Sequence, residues 1–245
     1  MSKTFDFITC GVQKSGTTTL HALIGAHPDI ATSERKELHF FDTLRPGQLP
    51  NYRAYHANMR GVPETQLWGE TTPSYIFVPG ALEAIKAYNP GVKLIAIFRD
   101  PAERAYSHWK MTTSRGREEL SFADAIRDRG RARIAGSPLP YRLAHSYVER
   151  GFYGAQCARL LSLFPREQVL LLSFSDLIEQ RDALMARVFD FLGMPGVPLA
   201  EPVHLMKSDR PDLPDAADLR YLYDLYDADY RRFVELGGPR VIETG

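Results

Sequence analysis

The chain has 245 residues, 44% of them hydrophobic and 24% charged, with 30 basic residues balanced by 30 acidic ones. This is the composition of a globular protein with a full core, and the zero net charge argues against a nucleic acid or a membrane surface as partner, so any anion site must be local. Cys10 and Cys157 have no second cysteine or histidine at metal-ligand spacing and read as buried free thiols; with no signal-peptide pattern and no apolar run long enough to cross a bilayer, the expectation is a cytoplasmic protein in a reducing compartment.

FDFITC at 5–10 predicts a first strand. It feeds the glycine turn GVQKSGTTT and a helix over 17–26, which stops at His27-Pro28. IAT at 30–32 and WGE at 68–70 are weaker strand candidates. A helix over 80–88, closed by Asn89-Pro90-Gly91, precedes the strand KLIAIF at 93–98. Further helices are expected over 101–114, with proline in the first turn, over 121–129, opened by the capping pattern SFAD, and over 154–164. The strand VLLLSF at 169–174 and helices over 182–192 and 215–236 complete the series. Short apolar strands alternating with helices predict an α/β fold: a P-loop-type three-layer domain with a central, mainly parallel sheet flanked by helices. Residues 1–245 read as one domain, and the Pro-, Gly-, Arg- and Tyr-rich segments 43–66 and 130–150 as excursions from its core.

Three stretches carry chemistry. In GVQKSGTTT a strand feeds a glycine turn and then a helix N-terminus, so backbone N–H groups converge and the helix dipole adds positive charge. The alternative is an ordinary β–α turn. A Walker loop has lysine directly after the second glycine; here Thr17 stands there and Lys14 precedes Gly16 by two. In FRDPAERAYSHW, Arg99 closes a strand, where open α/β sheets bind ligands, and Ser107 lies about two turns into the next helix. An arginine fork with a hydroxyl suits a phosphate, although a salt bridge from Arg99 to Asp100 or Glu103 is the simpler reading. In ERKELHFFD, Glu37 and His39 are both potential bases, and the bland reading is a charged loop that buries Phe40 and Phe41.

The ordered set QKSGTT, AHPDI, KELHFFD, GETTPSY, FRDPAERAYSHW, GFYGAQCARLLSLFP and VLLLSFSDL resembles the sulfotransferases that use 3′-phosphoadenosine 5′-phosphosulfate (PAPS), in particular the carbohydrate-acting, heparan sulfate-type branch and its bacterial relatives. The resemblance implies that Gln13, Lys14, Ser15, Gly16, Thr17 and Thr18 cradle the 5′-phosphosulfate, with Lys14 on the bridging oxygen of the leaving group. It implies that Arg99 and Ser107 grip the 3′-phosphate and that Glu37 is the general base. It also implies that MKSDRPD at 206–212, with Lys207, Ser208 and Arg210, closes over the nucleotide. Thr71 departs from the pattern, since the family often has lysine there; Lys36 or Arg35 is a candidate replacement. The acceptor is expected to be a carbohydrate or other small metabolite, with Tyr106, His108, Trp109 and the 130–150 segment as candidate lining.

Sulfuryl transfer in line builds charge on the bridging oxygen, which Lys14 and loop amides can stabilise, while Glu37 takes the acceptor proton. The transferred group carries less charge than a phosphoryl group, so no metal is expected. Two alternatives stay open from the sequence: a P-loop kinase with atypical lysine placement, and a non-catalytic nucleotide-binding protein.

Overall fold

The computed structural model describes residues 3–45, 47–199 and 213–242. Five strands form one sheet: β1 Phe7–Gly11, β2 Ile30–Thr32, β3 Leu67–Thr71, β4 Lys93–Phe98 and β5 Val169–Ser173, in the order β2-β3-β1-β4-β5. Every pairing is parallel. The helices in the first half are α1 Thr17–Gly25, α2 Tyr52–His56, α3 Ala81–Tyr88, α4 Pro101–Ser114, α5 Phe122–Ile126 and α6 Asp128–Ala132. Those in the second half are α7 Leu139–His145, α8 Tyr153–Leu163, α9 Phe174–Glu179, α10 Arg181–Leu192 and α11 Ala216–Glu235.

Successive strand side chains point to opposite faces, which is why the near-continuous apolar runs of β1, β4 and β5 bury both. Ile8, Cys10, Leu94, Ala96, Phe98, Val169 and Leu171 join one core with Leu82 and Ile85 of α3, Cys157 and Leu160 of α8 and Phe233 of α11. Phe7, Ile95, Ile97 and Leu172 join the other with Leu20 and Ile24 of α1, Leu177 of α9 and Leu184, Met185, Val188 and Phe189 of α10. Each fully buried Leu, Ile or Phe contributes about 1.5–3 kcal/mol of transfer free energy, so two such layers are a sufficient core. A third cluster, with Phe122, Ile126, Tyr147, Leu222 and Tyr226, braces α4 from outside the sheet.

The parallel three-layer architecture matches the expectation, and the weak candidates at 30–32 and 68–70 are β2 and β3. The helix expected over 121–129 is two: Arg127 adopts φ −100° and ψ −174°, and the chain folds back so tightly that a Cβ on Gly130 would lie 2.1 Å from the carbonyl oxygen of Ala125. The excursions 43–66 and 130–150 contain α2 and α7. Residues 206–212, with Lys207, Ser208 and Arg210, lie outside the described residues. No helix among the described residues is long and apolar enough to cross a membrane.

The start of α8 shows how the outer layer is fastened. Its N-cap residue Phe152 offers no side-chain acceptor. The Asp229 carboxylate of α11 accepts the Gly154 and Ala155 amides instead, at 2.7 and 2.8 Å. A Cβ on Gly154 would lie 2.3 Å from the Asp229 carbonyl oxygen. Asp229→Ala should therefore cost about 1–2 kcal/mol as a lost cap, and Gly154→Ala about 1–3 kcal/mol as overpacking. Urea unfolding reads both as a lowered midpoint at constant slope; an unchanged midpoint in both variants would contradict this account of the α8–α11 contact.

Candidate functional site at the carboxyl edge of the sheet

The chain leaves β1 at Gly11 and turns through Val12, Gln13, Lys14 and Ser15 into α1. Two glycines make the turn possible. A Cβ on Gly11 would lie 2.7 Å from Cγ2 of Ile76, and one on Gly16, whose φ is +81°, would lie 2.8 Å from the Phe174 ring. Gly16 is the N-cap of α1 and supplies no side-chain cap, so the first-turn amides keep their donors free. Oγ of Ser15 and Oε1 of Gln13 are buried without a partner among the described residues. Thr17 is buried and Thr18 exposed at the helix start. Lys14 takes φ +70° and has no ion-pair partner among the described residues. Burial, and then the charges of Arg115, Arg99 and Lys36, hold its amine below the ordinary lysine range. A cradle of free amides, polar atoms orphaned among the described residues and an unpaired lysine is built for an anion with several oxygens.

Arg99 follows the last residue of β4 and Asp100 caps α4, accepting the Ala102 and Glu103 amides at 2.8 and 2.9 Å. The guanidinium of Arg99 lies 5.2 Å from the Phe174 ring centroid and pairs with Glu103 Oε2 through Nε at 3.0 Å and Nη2 at 2.8 Å. The salt bridge weighed for Arg99 is thus formed, while the residue still acts on Lys14 across the cradle. Ser107 is half-buried on α4.

Glu37 reaches the same edge from a different part of the chain. Its amide donates to the Thr71 carbonyl at the end of β3, at 2.8 Å. Glu37 Oε1 lies 2.5 Å from Lys36 Nζ, and Oε2 lies 3.6 Å from His39 Nε2. The other ring nitrogen of His39, Nδ1, meets Oδ2 of the buried Asp42 at 2.8 Å, and Asp42 also accepts a short hydrogen bond from the Ser74 hydroxyl. Lys36, Glu37, His39, Asp42 and Ser74 thus form one connected chain of polar groups. His39 and then Lys36 hold the Glu37 carboxyl down at about 2 against the opposing effect of burial. Asp42 and then Glu37 push the His39 imidazole up to about 9, so it is a cation at neutral pH. Lys14, Glu37 and His39 are the non-glycine residues with positive φ among those described. Such backbone strain gathers where surrounding structure overdetermines a functional geometry.

The structure also sorts the remaining candidates. Lys36 sits on Glu37, whereas Arg35 is exposed. Thr71 is buried and its hydroxyl lies 2.9 Å from His21 Nδ1, so a neutral pair fills that place. His108 is fully buried against Tyr147, with ring centroids 4.9 Å apart, and cannot line a cleft. The Trp109 indole donates to the Leu120 carbonyl within the outer cluster. In the 130–150 segment, Arg131 pairs with Glu149 and Arg133 with Glu118, which is structural work. Sequence reasoning missed Arg115, the charge that acts most strongly on Lys14, and the Asp42–Ser74 support. The spacing of His39 and Asp42 in HFFD was the one available signal for that support. Among the described residues no group of three or more His, Cys, Asp or Glu side chains is gathered to hold a metal ion.

A family model described as sulfotransferase domain matches residues 5–206. Heparan sulfate glucosamine 3-O-sulfotransferase 3A1 of Mus musculus is 33% identical over 188 residues, 76% of this chain and 45% of that protein. Heparan sulfate glucosamine 3-O-sulfotransferase 6 of Homo sapiens is 32% identical over 184 residues, 75% of this chain and 51% of that protein. The chain spans about half the length of the curated relatives it matches. Among solved structures, a sulfotransferase from Alicyclobacillus acidocaldarius superposes with a TM-score of 0.80 at 26% identity, covering 97% of this chain and 98% of that one. Mouse sulfotransferase SULT7A1 complexed with PAP shares the fold alone, with a TM-score of 0.51 at 13% identity over 93% of this chain and 64% of that one.

The two shifted groups around Asp42 set a pH window. His39 rises from 6.5 to about 9 on folding, so its stabilising contribution is complete below pH 6.5 and is lost as pH climbs through about 9. Glu37 falls from 4.5 to about 2, so its contribution is present above pH 4.5 and is lost only as pH drops through about 2. The Tm difference between the native protein and His39→Gln should therefore be widest between those two ordinary values and close as pH passes 9. A difference constant from pH 6 to 10 would show that His39 is not held as a cation.

Proposed function

The chain belongs to the sulfotransferase family, and we propose that it moves the sulfuryl group of PAPS to a hydroxyl, or amine, of a carbohydrate or other small acceptor, with Glu37 as base. The observation that carries this reading is the juxtaposition of Lys14, a cradle cation with no ion-pair partner among the described residues, and Glu37, an ionised carboxylate, at one edge of the sheet. In-line transfer needs these two opposite charges on the two sides of the moving group. The bond between sulfur and the bridging phosphate oxygen breaks as the acceptor oxygen attacks. Lys14 and the α1 amides meet the charge that grows on the leaving oxygen, and Glu37 takes the acceptor proton.

The donor's 5′-phosphosulfate fits the free amides and the orphaned Ser15 and Gln13 atoms, with Gly16, Thr17 and Thr18 completing the cradle. Its 3′-phosphate falls to Arg99 and Ser107 and its base to the side of Phe174. The PAP complex of a protein with this fold supports that choice of nucleotide. Lys207, Ser208 and Arg210, outside the described residues, are proposed to close over it. Glu37 at about 2 is a weak base while Lys36 and His39 hold it. Acceptor binding that draws Lys36 away and excludes water raises its basicity toward the working range. The curated relatives' names support a carbohydrate hydroxyl, and the positive charge of Arg115 felt at Lys14 suits an acceptor bearing negative groups. A screen of mono- and oligosaccharides with sulfur-labelled PAPS tests the activity directly.

Three variants separate the roles. Lys14→Ala should lower kcat by roughly 10²-fold or more, because it removes a donor that acts on charge developing in the transition state. Glu37→Gln should abolish turnover with the Kd for 3′,5′-diphosphoadenosine nearly unchanged; if nucleotide binding collapses with it, Glu37 belongs to the nucleotide site. Arg99→Ala should weaken 3′,5′-diphosphoadenosine roughly 10- to 100-fold more than adenosine 5′-phosphate, the worth of a charged hydrogen bond. Equal weakening of both nucleotides would assign Arg99 elsewhere.

A further inference from the structure

Glu70 lies on β3, fully buried, and the chemistry above does not use it. It has no cationic partner among the described residues. Its carboxylate is met by hydroxyls instead: Tyr55 donates to Oε1 at 2.9 Å and Thr72 to Oε2 at 2.8 Å. The Tyr75 hydroxyl is the third hydroxyl that acts on this carboxylate, lowering its pKa against the effect of burial. The other ionisable groups that act on it or feel it are Asp42, Tyr88 and the buried thiol of Cys10.

Two of the three hydroxyls lead to the segment that bears Glu37. The Tyr75 oxygen accepts the Phe40 amide at 3.0 Å. The Tyr55 ring stacks on Phe40 with centroids 4.4 Å apart and meets Phe41 edge-on at 5.2 Å. Between them they fix the stretch in which Glu37 and His39 hold φ of 62° and 52°. An ionised carboxylate only accepts hydrogen bonds. It obliges Tyr55 and Thr72 to donate inward and draws the Tyr75 hydroxyl proton toward the same charge, and that leaves the Tyr75 lone pairs for the Phe40 amide. An amide, or a protonated acid, presents a donor and forces one hydroxyl to turn.

We propose that Glu70 is a positioning residue for the base: as an acceptor-only group it orients Tyr75 and Tyr55, which hold segment 37–42 so that His39 stays between Glu37 and Asp42. The proposal rests on the reading of Glu37 as base for its effect on turnover, but not for its effect on His39. Burial pushes the Glu70 acid up to about 7, whereas Glu37 and His39 titrate at about 2 and about 9. A limb in kcat near neutrality that is lost in Glu70→Gln is therefore assignable to Glu70. Activity falls on the acid side, where the carboxyl gains its donor.

The test compares Glu70→Gln, Tyr75→Phe and the control Tyr226→Phe, which removes an equally buried hydroxyl that donates to the Val148 carbonyl at 2.9 Å, far along the chain from the base segment. First, the His39 midpoint is read by NMR titration. It should fall from about 9 toward 6.5 in Glu70→Gln and Tyr75→Phe and stay put in Tyr226→Phe. Second, kcat at saturating donor and acceptor should drop roughly 10-fold in the first two variants with the Kd for 3′,5′-diphosphoadenosine unchanged, and the limb near pH 7 should vanish in Glu70→Gln. If Glu70→Gln does not fold, Tyr75→Phe, which keeps the ring, decides alone. An unmoved His39 midpoint overturns the inference, as does an equal kcat loss in Tyr226→Phe. A moved midpoint in a protein without sulfuryl transfer upholds the positioning and overturns the proposed function instead.

Discussion

The hydrogen bond from the Glu37 amide to the Thr71 carbonyl decides where the site can be. β1 and β3 are adjacent and parallel, with Thr9 opposite Thr71. Neighbouring strands lie about 4.8 Å apart, so a loop tied to the end of β3 arrives beside whatever leaves the end of β1. What leaves β1 is the cradle. The connection tightens past the sheet, as the Thr72 amide donates to Thr9 and the Ile76 amide to Cys10. Chain ends that are distant in sequence are thereby brought to one edge by ladder geometry, before any side chain contributes.

Charge is arranged around that edge with little waste. Glu37 is neutralised locally by Lys36, and His39 by Asp42. Lys14 and Arg115, which acts on it, are not paired in this way among the described residues. Arg104 is fully buried with Nε and Nη1 unpartnered among the described residues, and Arg150 nearly so with Nε unpartnered. Burial, and then Arg150, Arg104 and Lys14, push His108 well below the ordinary histidine range, so it adds no further charge. Removing guanidiniums from water without a carboxylate is expensive, and the sign of the resulting field suits a ligand with several negative charges.

How much of this could be read from the residues depended on range. β1, β4 and β5 announce themselves as short apolar runs, and the cradle is legible because glycines, lysine and threonines follow a strand within one turn. β3 was faint because its reading LWGET breaks the apolar pattern. Gly69 is there so that the Phe7 ring can sit where a Cβ would stand 1.9 Å away, and Glu70 is buried among hydroxyls. Neither reason is visible along the chain. Local pattern also favoured one helix over 121–129, because nothing in it reports the contact that folds Gly130 onto Ala125. Glu37 and His39 stood out as bases, but Ser74, which holds Asp42, is 32 residues away. His108 and Trp109 sit next to Ser107 in sequence, yet a helix turns about 100° per residue, and both face the packed side.

The backbone of Lys14, Glu37 and His39 lies in the region of φ that side chains ordinarily avoid. Each such residue costs of order 1–3 kcal/mol, which glycine or asparagine largely escapes. Stability and chemistry therefore pull these three positions in opposite directions. A lineage of this protein drifting under selection for thermal tolerance alone would gain by exchanging them, and it would lose the proposed cation and base first. Strain of this kind works as a record of purpose: where an uncomfortable conformation persists in a side chain that a more tolerant residue could replace, the side chain is being kept for what it does.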